Sequence, residues 1–159
     1  FVGDVFEILS FFPAESVDKI YASHFIEHVE DLTKLLDAID RCLKPGGDVE
    51  FVAPHFSNPY FYSDPTHKNF FGLYTFCYFF KSKIFARQVP VYSFDYGLEL
   101  TFVSLVFKSP KPFYLRYGLK KVFGVIFNSN NFFRELYEEW FCYLIPCYEV
   151  VYRIKKIEG

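Results

Sequence analysis

The most regular alternation of hydrophobic and polar positions lies between Asp18 and Pro54. Short apolar stretches at Lys19–Ser23 and Val49–Ala53 predict two strands. Between them, apolar residues recur every three or four positions and predict an amphipathic helix. These residues are Val29, Leu32, Leu35, Leu36, Ile39, Cys42 and Leu43. A strand, a helix and a strand with short connections predict a right-handed crossover between parallel strands.

The predicted helix carries the residues expected at its two ends. Asp31 can accept a hydrogen bond from the first turn as an N-cap. Lys44 suits the negative carboxyl end of a helix. Pro45, Gly46 and Gly47 follow, and they predict that the helix stops and the chain reverses before the second strand.

The rest of the chain predicts further helices and strands in an α/β arrangement. We predict helices over residues 70–87, Tyr114–Phe127 and Phe132–Leu144, the last capped by Asn130 or Asn131. Leu98–Lys108 is apolar on both faces and resembles an interior strand. Glu149–Ile157 alternates with lysines, which is typical of an edge strand.

Composition indicates a folded domain with a ring-rich interior. The 159 residues are 52% hydrophobic and include 23 Phe and 13 Tyr. A chain of this length and apolar content can bury a sizeable core, so we expect residues 1–159 to form a single domain. Most of the aromatic rings are expected to pack in the core or along a pocket wall.

Charge argues against a nucleic-acid partner but marks one basic segment. The formal net charge is −2, which does not favour an ordinary basic nucleic-acid binder. Residues 100–134 nevertheless contain no acid, and their basic residues lie among Phe and Tyr. Such a surface could meet an acidic substrate, a membrane interface or another partner, or it could be a solvated helix face.

The cysteines and the termini bear on the cellular compartment. Cys42, Cys77, Cys142 and Cys147 form no CxxC pair, which favours buried reduced thiols. Phe1–Phe12 has no basic region of the kind that opens a secretory signal. We therefore expect a cytoplasmic protein.

Polar residues gather where the two central strands are predicted to end. Ser23, His24, Glu27 and His28 follow the first strand. Open α/β sheets bind ligands beyond the carboxyl ends of their strands, so we expect a site there. After Pro54 comes an aromatic insertion, HFSNPYFYSDPTHKNFFGLYTFCYFF. It should overhang the same site.

Histidines near these strand ends raise the question of a metal. His24 and His28 would share one face of a helix and could be ligands, but no third ligand lies nearby in the sequence. His55, Asp64 and His67 could also gather, although two imidazoles and one carboxylate are a weak set for magnesium. We expect no metal.

Two motifs resemble a known family. The segment SHFIEHVED at Ser23–Asp31, followed by LKPGG at Leu43–Gly47 and an apolar strand, is similar to class I S-adenosylmethionine-dependent methyltransferases, especially the type 11 group. The similarity covers about the first third of the chain. It implies a partial Rossmann-like methyltransferase fold, mostly parallel, with an antiparallel last strand and added helices.

The resemblance also implies roles for individual residues. Gly3, Asp4 and Val5 match the segment that contacts adenine, with the carboxylate accepting the adenine amino group and the Val5 N–H meeting the ring. Ser23, His24 and Phe25 match the positions around the methionine end of S-adenosylmethionine, the implied cofactor. A small molecule is the implied methyl acceptor.

The insertion supplies the candidates for acceptor contacts and for a proton acceptor. We expect His55, Tyr60 and Asp64 to contact the acceptor. His67 and His28 are the candidate catalytic residues, because histidine accepts protons near neutral pH. Either histidine could instead only pack or stabilise a turn.

One feature of the family is not found in the sequence. Members open with a strand, a glycine-rich turn and an acidic residue for the ribose, and residues 1–159 contain no such segment. We expect this sequence to be the carboxyl-terminal part of a longer methyltransferase. The alternative is a noncatalytic methyltransferase-like interaction module.

Overall fold

A computed structural model describes residues 3–92 and 95–158. The described chain contains four α-helices and four strands. The helices are α1 (Val5–Ser10), α2 (Leu32–Cys42), α3 (Tyr114–Phe127) and α4 (Asn131–Leu136), and the strands are β1 (Val17–Ser23), β2 (Leu43–Pro54), β3 (Leu98–Val106) and β4 (Glu149–Lys156). Short 3₁₀ turns lie at Ile26–His28, Phe61–Ser63 and Thr75–Tyr78, and α4 continues into a π-helical turn, Tyr137–Phe141.

The four strands form one sheet in the order β1-β2-β4-β3. β1 and β2 are parallel, and β4 is antiparallel to both of its neighbours. Three strands therefore run in one direction and the last strand runs against them, which agrees with the fold class expected from the sequence.

The predicted β1–α2–β2 crossover is confirmed. Asp31 caps α2 by accepting a hydrogen bond from Lys34 N at 3.0 Å. Gly46 has a φ of 75°, in the left-handed region that favours glycine. A Cβ at Gly47 would lie 2.9 Å from the Lys44 carbonyl oxygen, so the turn before the extended part of β2 requires both glycines.

The predicted positions of the last two strands in the sheet are reversed. β3 was expected inside the sheet, yet it is an edge strand whose only described strand partner is β4. β4 was expected at an edge and instead lies between β2 and β3. β3 is apolar because helical segments pack against it. Phe107, just beyond the strand, packs edge-on against Tyr137 of the π-helical turn. The lysines of β4 lie near its end, where Lys156 pairs with Asp40 of α2.

The predicted helix over residues 70–87 is wrong. The segment contains only the 3₁₀ turn Thr75–Tyr78 and is otherwise irregular. Its rings fill the core as a stack instead: Phe76 packs against Phe51 of β2 at 5.6 Å between centroids and against Tyr152 of β4 at 4.7 Å. Ring packing on the sheet therefore replaces the backbone hydrogen bonds of a helix. The predicted helix Tyr114–Phe127 is confirmed.

Candidate functional site

The carboxyl ends of β1 and β2 lie side by side. Ser23 pairs with Val52, and the His24 N–H donates to the Val52 carbonyl at 2.9 Å. Open α/β sheets bind ligands at this edge. The two strand ends predicted to carry the site are thus neighbours in the sheet.

A hollow of about 370 Å³ opens beside β1. Val5, Ser23 and Phe25, three of the predicted cofactor-binding residues, line it. The remaining lining residues come from α1, β1, α2 and β2 and are Leu9, Ile20, Tyr21, Ala22, Leu35, Ile39 and Phe51. The hollow is mostly apolar, with Ser23 as a polar group at the strand end.

Helix α1 forms one wall of this hollow and is fixed in two ways. Arg41 of α2 donates to the carbonyls of Leu9 and Phe12 at 2.7 and 2.8 Å. Asp4 caps α1, since its Oδ1 accepts hydrogen bonds from the backbone N–H groups of Phe6 and Glu7. Asp4 and Gly3 do not line the hollow, and the hydrogen bonds of Asp4 are those of a helix cap.

His24 is not among the residues that line the hollow. Its backbone has a φ of 51°, an uncommon value for a residue with a Cβ. Its Nε2 lies 3.0 Å from Glu149 Oε1, and its Nδ1 lies 3.4 Å from Glu27 Oε1. Both ring nitrogens of His24 therefore face carboxylates, and its expected contact with the cofactor stays a prediction.

The insertion folds back over the 3₁₀ turn that follows β1. The Glu27 carbonyl accepts from Lys68 N at 2.7 Å and from Asn69 N at 3.2 Å. The Asn69 side-chain amide donates to the carbonyls of Ile26 and Val29. These backbone contacts place the Asp64–His67 turn directly against His28.

The two predicted catalytic histidines, His28 and His67, are brought together by this contact. Their ring centroids are 4.8 Å apart. His67 Nδ1 donates to the Phe61 carbonyl at 2.8 Å, and His28 Nδ1 lies 2.9 Å from Thr66 Oγ1. Thr66 donates its hydroxyl proton and its backbone N–H to Asp64 Oδ1, and these hydrogen bonds lower the pKa of Asp64.

Two other predicted acceptor contacts lie elsewhere. His55 is fully buried, with Nδ1 at 2.8 Å from Ser57 Oγ and Nε2 at 3.3 Å from Glu138 Oε2. A ring enclosed in this way has no surface for an acceptor to touch, so His55 serves the structure of the insertion. Tyr60 is exposed and packs beside Tyr148.

Two further residues of this region were given no role by the sequence. Glu27 is completely buried between His24 and His28, and its side-chain oxygens have no hydrogen-bond partner within residues 3–92 and 95–158. Glu149 is nearly buried and pairs with His24 and with Lys108 Nζ, the latter at 2.6 Å. Nothing local in the sequence places Glu149 beside β1, because β4 lies on the far side of β2.

A second hollow, of about 480 Å³, lies within the insertion. Aromatic side chains form most of its wall, including Phe56, Phe70, Tyr74 and Tyr92. Glu138 is its acidic lining residue and accepts from Leu73 N at 2.7 Å. The Phe70 ring packs on Phe61 at 4.9 Å between centroids, and Phe61 packs on His67 at 4.6 Å, so rings connect this hollow to the paired histidines.

Comparisons with known proteins agree with this architecture. Residues 1–51 match a family model described as a methyltransferase domain. A search of curated proteins found no match. A SAM-dependent methyltransferase from Archaeoglobus fulgidus superposes on 98% of this chain with a TM-score of 0.59 and 18% identity, and the chain covers 66% of it.

Two other solved structures show the same fold. The YcgJ protein from Bacillus subtilis matches 94% of the chain with a TM-score of 0.50 and 18% identity, and the chain covers 68% of it. A putative Haloferax volcanii methyltransferase, solved with its Trm112 activator, matches 94% with a TM-score of 0.53 and 13% identity, and is covered over 57%. The chain thus spans roughly two thirds or less of the proteins it resembles.

The resemblance inferred from the sequence is confirmed: the chain has the fold of class I S-adenosylmethionine-dependent methyltransferases, and its first third matches a methyltransferase domain.

Proposed function

We propose that this chain is part of a methyltransferase domain that transfers a methyl group from S-adenosylmethionine to a small molecule. The hollow beside β1 is the observation that carries the proposal. It lies at the strand edge where this fold binds ligands, and Val5, Ser23 and Phe25 line it as the sequence motif requires.

The residues around the hollow suit the two ends of the cofactor. Val5 begins α1, so its N–H has no partner within the helix and is free to meet the adenine ring. Asp4 uses Oδ1 as a helix cap, and its second oxygen would accept the adenine amino group. Ser23 and Phe25 would hold the methionine end at the end of β1.

Methyl transfer requires the protein mainly to position the acceptor, and less to activate it. When bound, S-adenosylmethionine supplies an electrophilic methyl group, so the protein must align an acceptor with it. An acceptor hydroxyl or ammonium must also lose a proton. His28 and His67 lie at the overhanging turn, and the Nε2 atom of either ring could take this proton.

The aromatic hollow in the insertion is the proposed place for the acceptor. Its ring-lined wall suits a planar or lipid-like molecule, because such surfaces stack on or pack against aromatic side chains. The chain of rings from Phe70 through Phe61 to His67 leads from this hollow to the proposed proton acceptors.

A membrane surface is the proposed source of a lipid-like acceptor. Helix α3 exposes apolar side chains along its length, among them Leu115 (81% exposed) and Val125 (75% exposed). Trp140, Tyr143 and Leu144, which follow α4, are also exposed. Arg116 and Lys121 also lie on α3, and residues 100–134 have no acid, so the surface complements anionic lipid.

This surface lies away from β1 and the hollow beside it. α3 follows β3, at the opposite edge of the sheet from β1. No helix in the described part of the chain is long and apolar enough to span a bilayer. A helix lying in the interface requires only an apolar face and nearby basic groups.

The thiols favour a reducing compartment. Cys42, Cys77, Cys142 and Cys147 are all free and buried. Burial raises the pKa of the Cys77 thiol to about 11, so this thiol is protonated and unreactive near neutral pH. We place the protein in the cytoplasm on this basis.

Isothermal titration with S-adenosylhomocysteine tests the proposed activity. The complete reading frame that contains these residues should be used, because the chain spans only part of its structural relatives. We expect saturable heat and protection of residues 5–25 from proteolysis. A complete protein that shows neither would be a noncatalytic module with this fold.

A further inference from the structure

Glu27 is a buried carboxylate without a hydrogen bond. Its side chain is 1% exposed, and no described residue donates a hydrogen bond to either oxygen. A buried carboxylate that lacks donors loses hydration without compensation, which is costly. His24 and His28 lie within ion-pair distance of this carboxylate, and His28 Nε2 is 3.9 Å from Oε1.

His67 completes a compact group around this carboxylate. One ligand atom from each of Glu27, His28 and His67 lies within 4.8 Å of the other two. His67 is 11% exposed and His28 is 36% exposed, so the group is open to solvent only on the His28 side. The third member comes from the insertion, 39 positions beyond His28 in the sequence.

Hydrogen bonds fix which nitrogen of each ring is free. His67 Nδ1 faces the Phe61 carbonyl, which only accepts, so this nitrogen carries the proton. Thr66 donates its hydroxyl proton to Asp64 Oδ1, so Thr66 Oγ1 can accept from His28 Nδ1. Both Nε2 atoms then present lone pairs when the rings are neutral.

This arrangement is the one found around metal-ligating histidines. Such a histidine donates its other N–H to a backbone carbonyl, a carboxylate or another acceptor, which fixes the tautomer and the ring orientation. Phe61 and the Thr66–Asp64 pair supply these acceptors here. The backbone hydrogen bonds from Lys68 and Asn69 to the Glu27 carbonyl hold the two halves of the group in register.

We propose that Glu27, His28 and His67 bind a divalent first-row transition cation such as Zn²⁺. Two imidazole nitrogens and one carboxylate oxygen form a ligand set that suits zinc, whereas magnesium prefers oxygen ligands. Bonds of about 2.1 Å require ligand atoms about 3.4 Å apart. The group must therefore contract from its present spacing, which the half-exposed His28 side chain permits.

Three protein ligands leave a coordination position open toward solvent on the His28 side. A cation there would lower the pKa of an acceptor hydroxyl bound to it, and this would replace the proposed role of the Nε2 atoms as proton acceptors. This second step rests on the proposed methyl transfer. Cation binding itself does not depend on it.

His24 is the competing partner of Glu27. Its Nδ1 is closer to Glu27 Oε1, at 3.4 Å, than His28 Nε2 is. However, His24 Nε2 is engaged by Glu149, which is itself paired with Lys108. If His24 and Glu27 form only an ion pair, no cation is needed, and the parent protein shows no zinc binding. The His24 variant tests whether His24 is itself a ligand.

The test is a titration of the chelator-treated protein with ZnSO₄ by calorimetry, and with CoCl₂ by absorption spectroscopy. We expect one cation per chain and a visible cobalt spectrum typical of nitrogen and oxygen ligands. His28→Gln, His67→Gln and Glu27→Gln should each weaken zinc binding by about tenfold or more. His24→Gln, the matched control, should bind zinc as the parent protein does, and MgCl₂ should give no heat.

Three results would overturn the proposal. The first is the absence of both zinc heat and a cobalt spectrum in the parent protein. The second is unchanged zinc affinity in His67→Gln with a native circular dichroism spectrum. The third is a loss in His24→Gln as large as that in His67→Gln. Because these readouts need neither the methyl donor nor an acceptor, they stand apart from a failure of the proposed activity.

Discussion

His24 and Glu149 join the ends of two strands that are not neighbours in the sheet. His24 follows β1, Glu149 begins β4, and β2 lies between them. His24 Nε2 is 3.0 Å from Glu149 Oε1, and Lys108 Nζ contacts the same oxygen at 2.6 Å. One nearly buried carboxylate therefore holds together the strand edge at which the candidate site lies.

Glu149→Gln is expected to lower the free energy of unfolding by about 2 kcal/mol, because hydrogen bonds to a buried charged group are lost. Urea denaturation measures the change. Glu50→Gln is the matched control, since its pair with Arg153 is more exposed and should contribute less than about 1 kcal/mol. Equal effects of the two substitutions would mean that the burial of Glu149 does not matter.

Ala22→Phe is expected to weaken S-adenosylhomocysteine binding. Ala22 lines the hollow beside β1, and a phenyl ring there would occupy space that the ligand needs. We expect a loss of about tenfold or more, which corresponds to about 1.4 kcal/mol. Ala86→Phe, at an exposed position outside this hollow, is the control. Unchanged affinity in Ala22→Phe, with normal unfolding, would place the donor elsewhere.

Asn128→Asp is expected to destabilise the protein by about 2 kcal/mol. The Asn128 side chain accepts from Leu105 N at 2.9 Å and donates to the Leu105 carbonyl at 2.7 Å. It thereby occupies both backbone groups at the edge of β3. Aspartate keeps the acceptor but sets a second oxygen against the carbonyl.

Thermal unfolding of Asn128→Asp and Asn130→Asp provides the comparison for this prediction. Asn130 caps α4 through its side-chain oxygen alone, by accepting from Phe133 N, and aspartate preserves that contact. Asn130→Asp should therefore unfold near the parent temperature. A similar loss in both variants would show that added charge, and not the lost donor, is the cause.

Lys120 is expected to make stability rise with pH. Burial lowers the pKa of Lys120 from 10.5 to about 8 in the folded chain, where it donates to the Pro146 and Lys108 carbonyls. Between about pH 8 and 10.5 the unfolded chain binds this proton more tightly, so unfolding becomes harder as pH increases. The gain is at most about 3 kcal/mol.

The buried thiols and phenols make stability fall as pH rises, which opposes the effect of Lys120. The Lys120 effect must therefore be measured as a difference between two proteins. Burial raises the pKa of Cys77 and of Tyr74, and stability from such groups is lost as the unfolded chain ionises. The measurement is the unfolding free energy of the parent protein minus that of Lys120→Met, from pH 7 to about pH 10. A flat difference would contradict the lowered pKa.

Leu115→Glu with Val125→Glu is expected to reduce binding to vesicles of phosphatidylcholine and phosphatidylserine by about tenfold or more. Both side chains are exposed on α3, and burying a carboxylate in the interface is unfavourable. Salt should weaken the parent's binding, since the basic groups act electrostatically. Ile157→Glu, at an exposed position beyond β4, is the control.

Two outcomes of the vesicle experiment would contradict a membrane role. Absence of parent binding to the vesicles would leave the α3 surface to a protein partner. Concentration-dependent self-association, removed by the same two substitutions, would assign the surface to a second copy of the chain.

The elements that local signals determine were predictable. The β1–α2–β2 crossover follows from periodicity, from the Asp31 cap and from the Gly46–Gly47 turn, all of which are local. Residues 70–87 were misread because a dense run of rings carries no information about its partners. Phe76 packs on Phe51 and Tyr152, which are distant in the sequence, and these contacts override a helical pattern.

The candidate site was predictable in part for the same reason. Ser23, Phe25 and Val5 were found through motifs, and the structure gathers them around one hollow. Asp64 and His67 were singled out as polar residues in an apolar insertion, but their approach to Glu27 and His28 depends on the backbone hydrogen bonds at Lys68 and Asn69. His55 looked equally available in the sequence, and only the fold shows that it is buried.

The place of β4 between β2 and β3 has a consequence for biosynthesis. While the ribosome is still adding residues before Glu149, β3 has been made but has no strand to bind, and β1 and β2 are the only described strands that can pair. The chain must therefore keep β3 and the apolar face of α3 apart from other molecules until β4 emerges. We therefore expect a nascent chain to depend most on a chaperone while this segment is being synthesised.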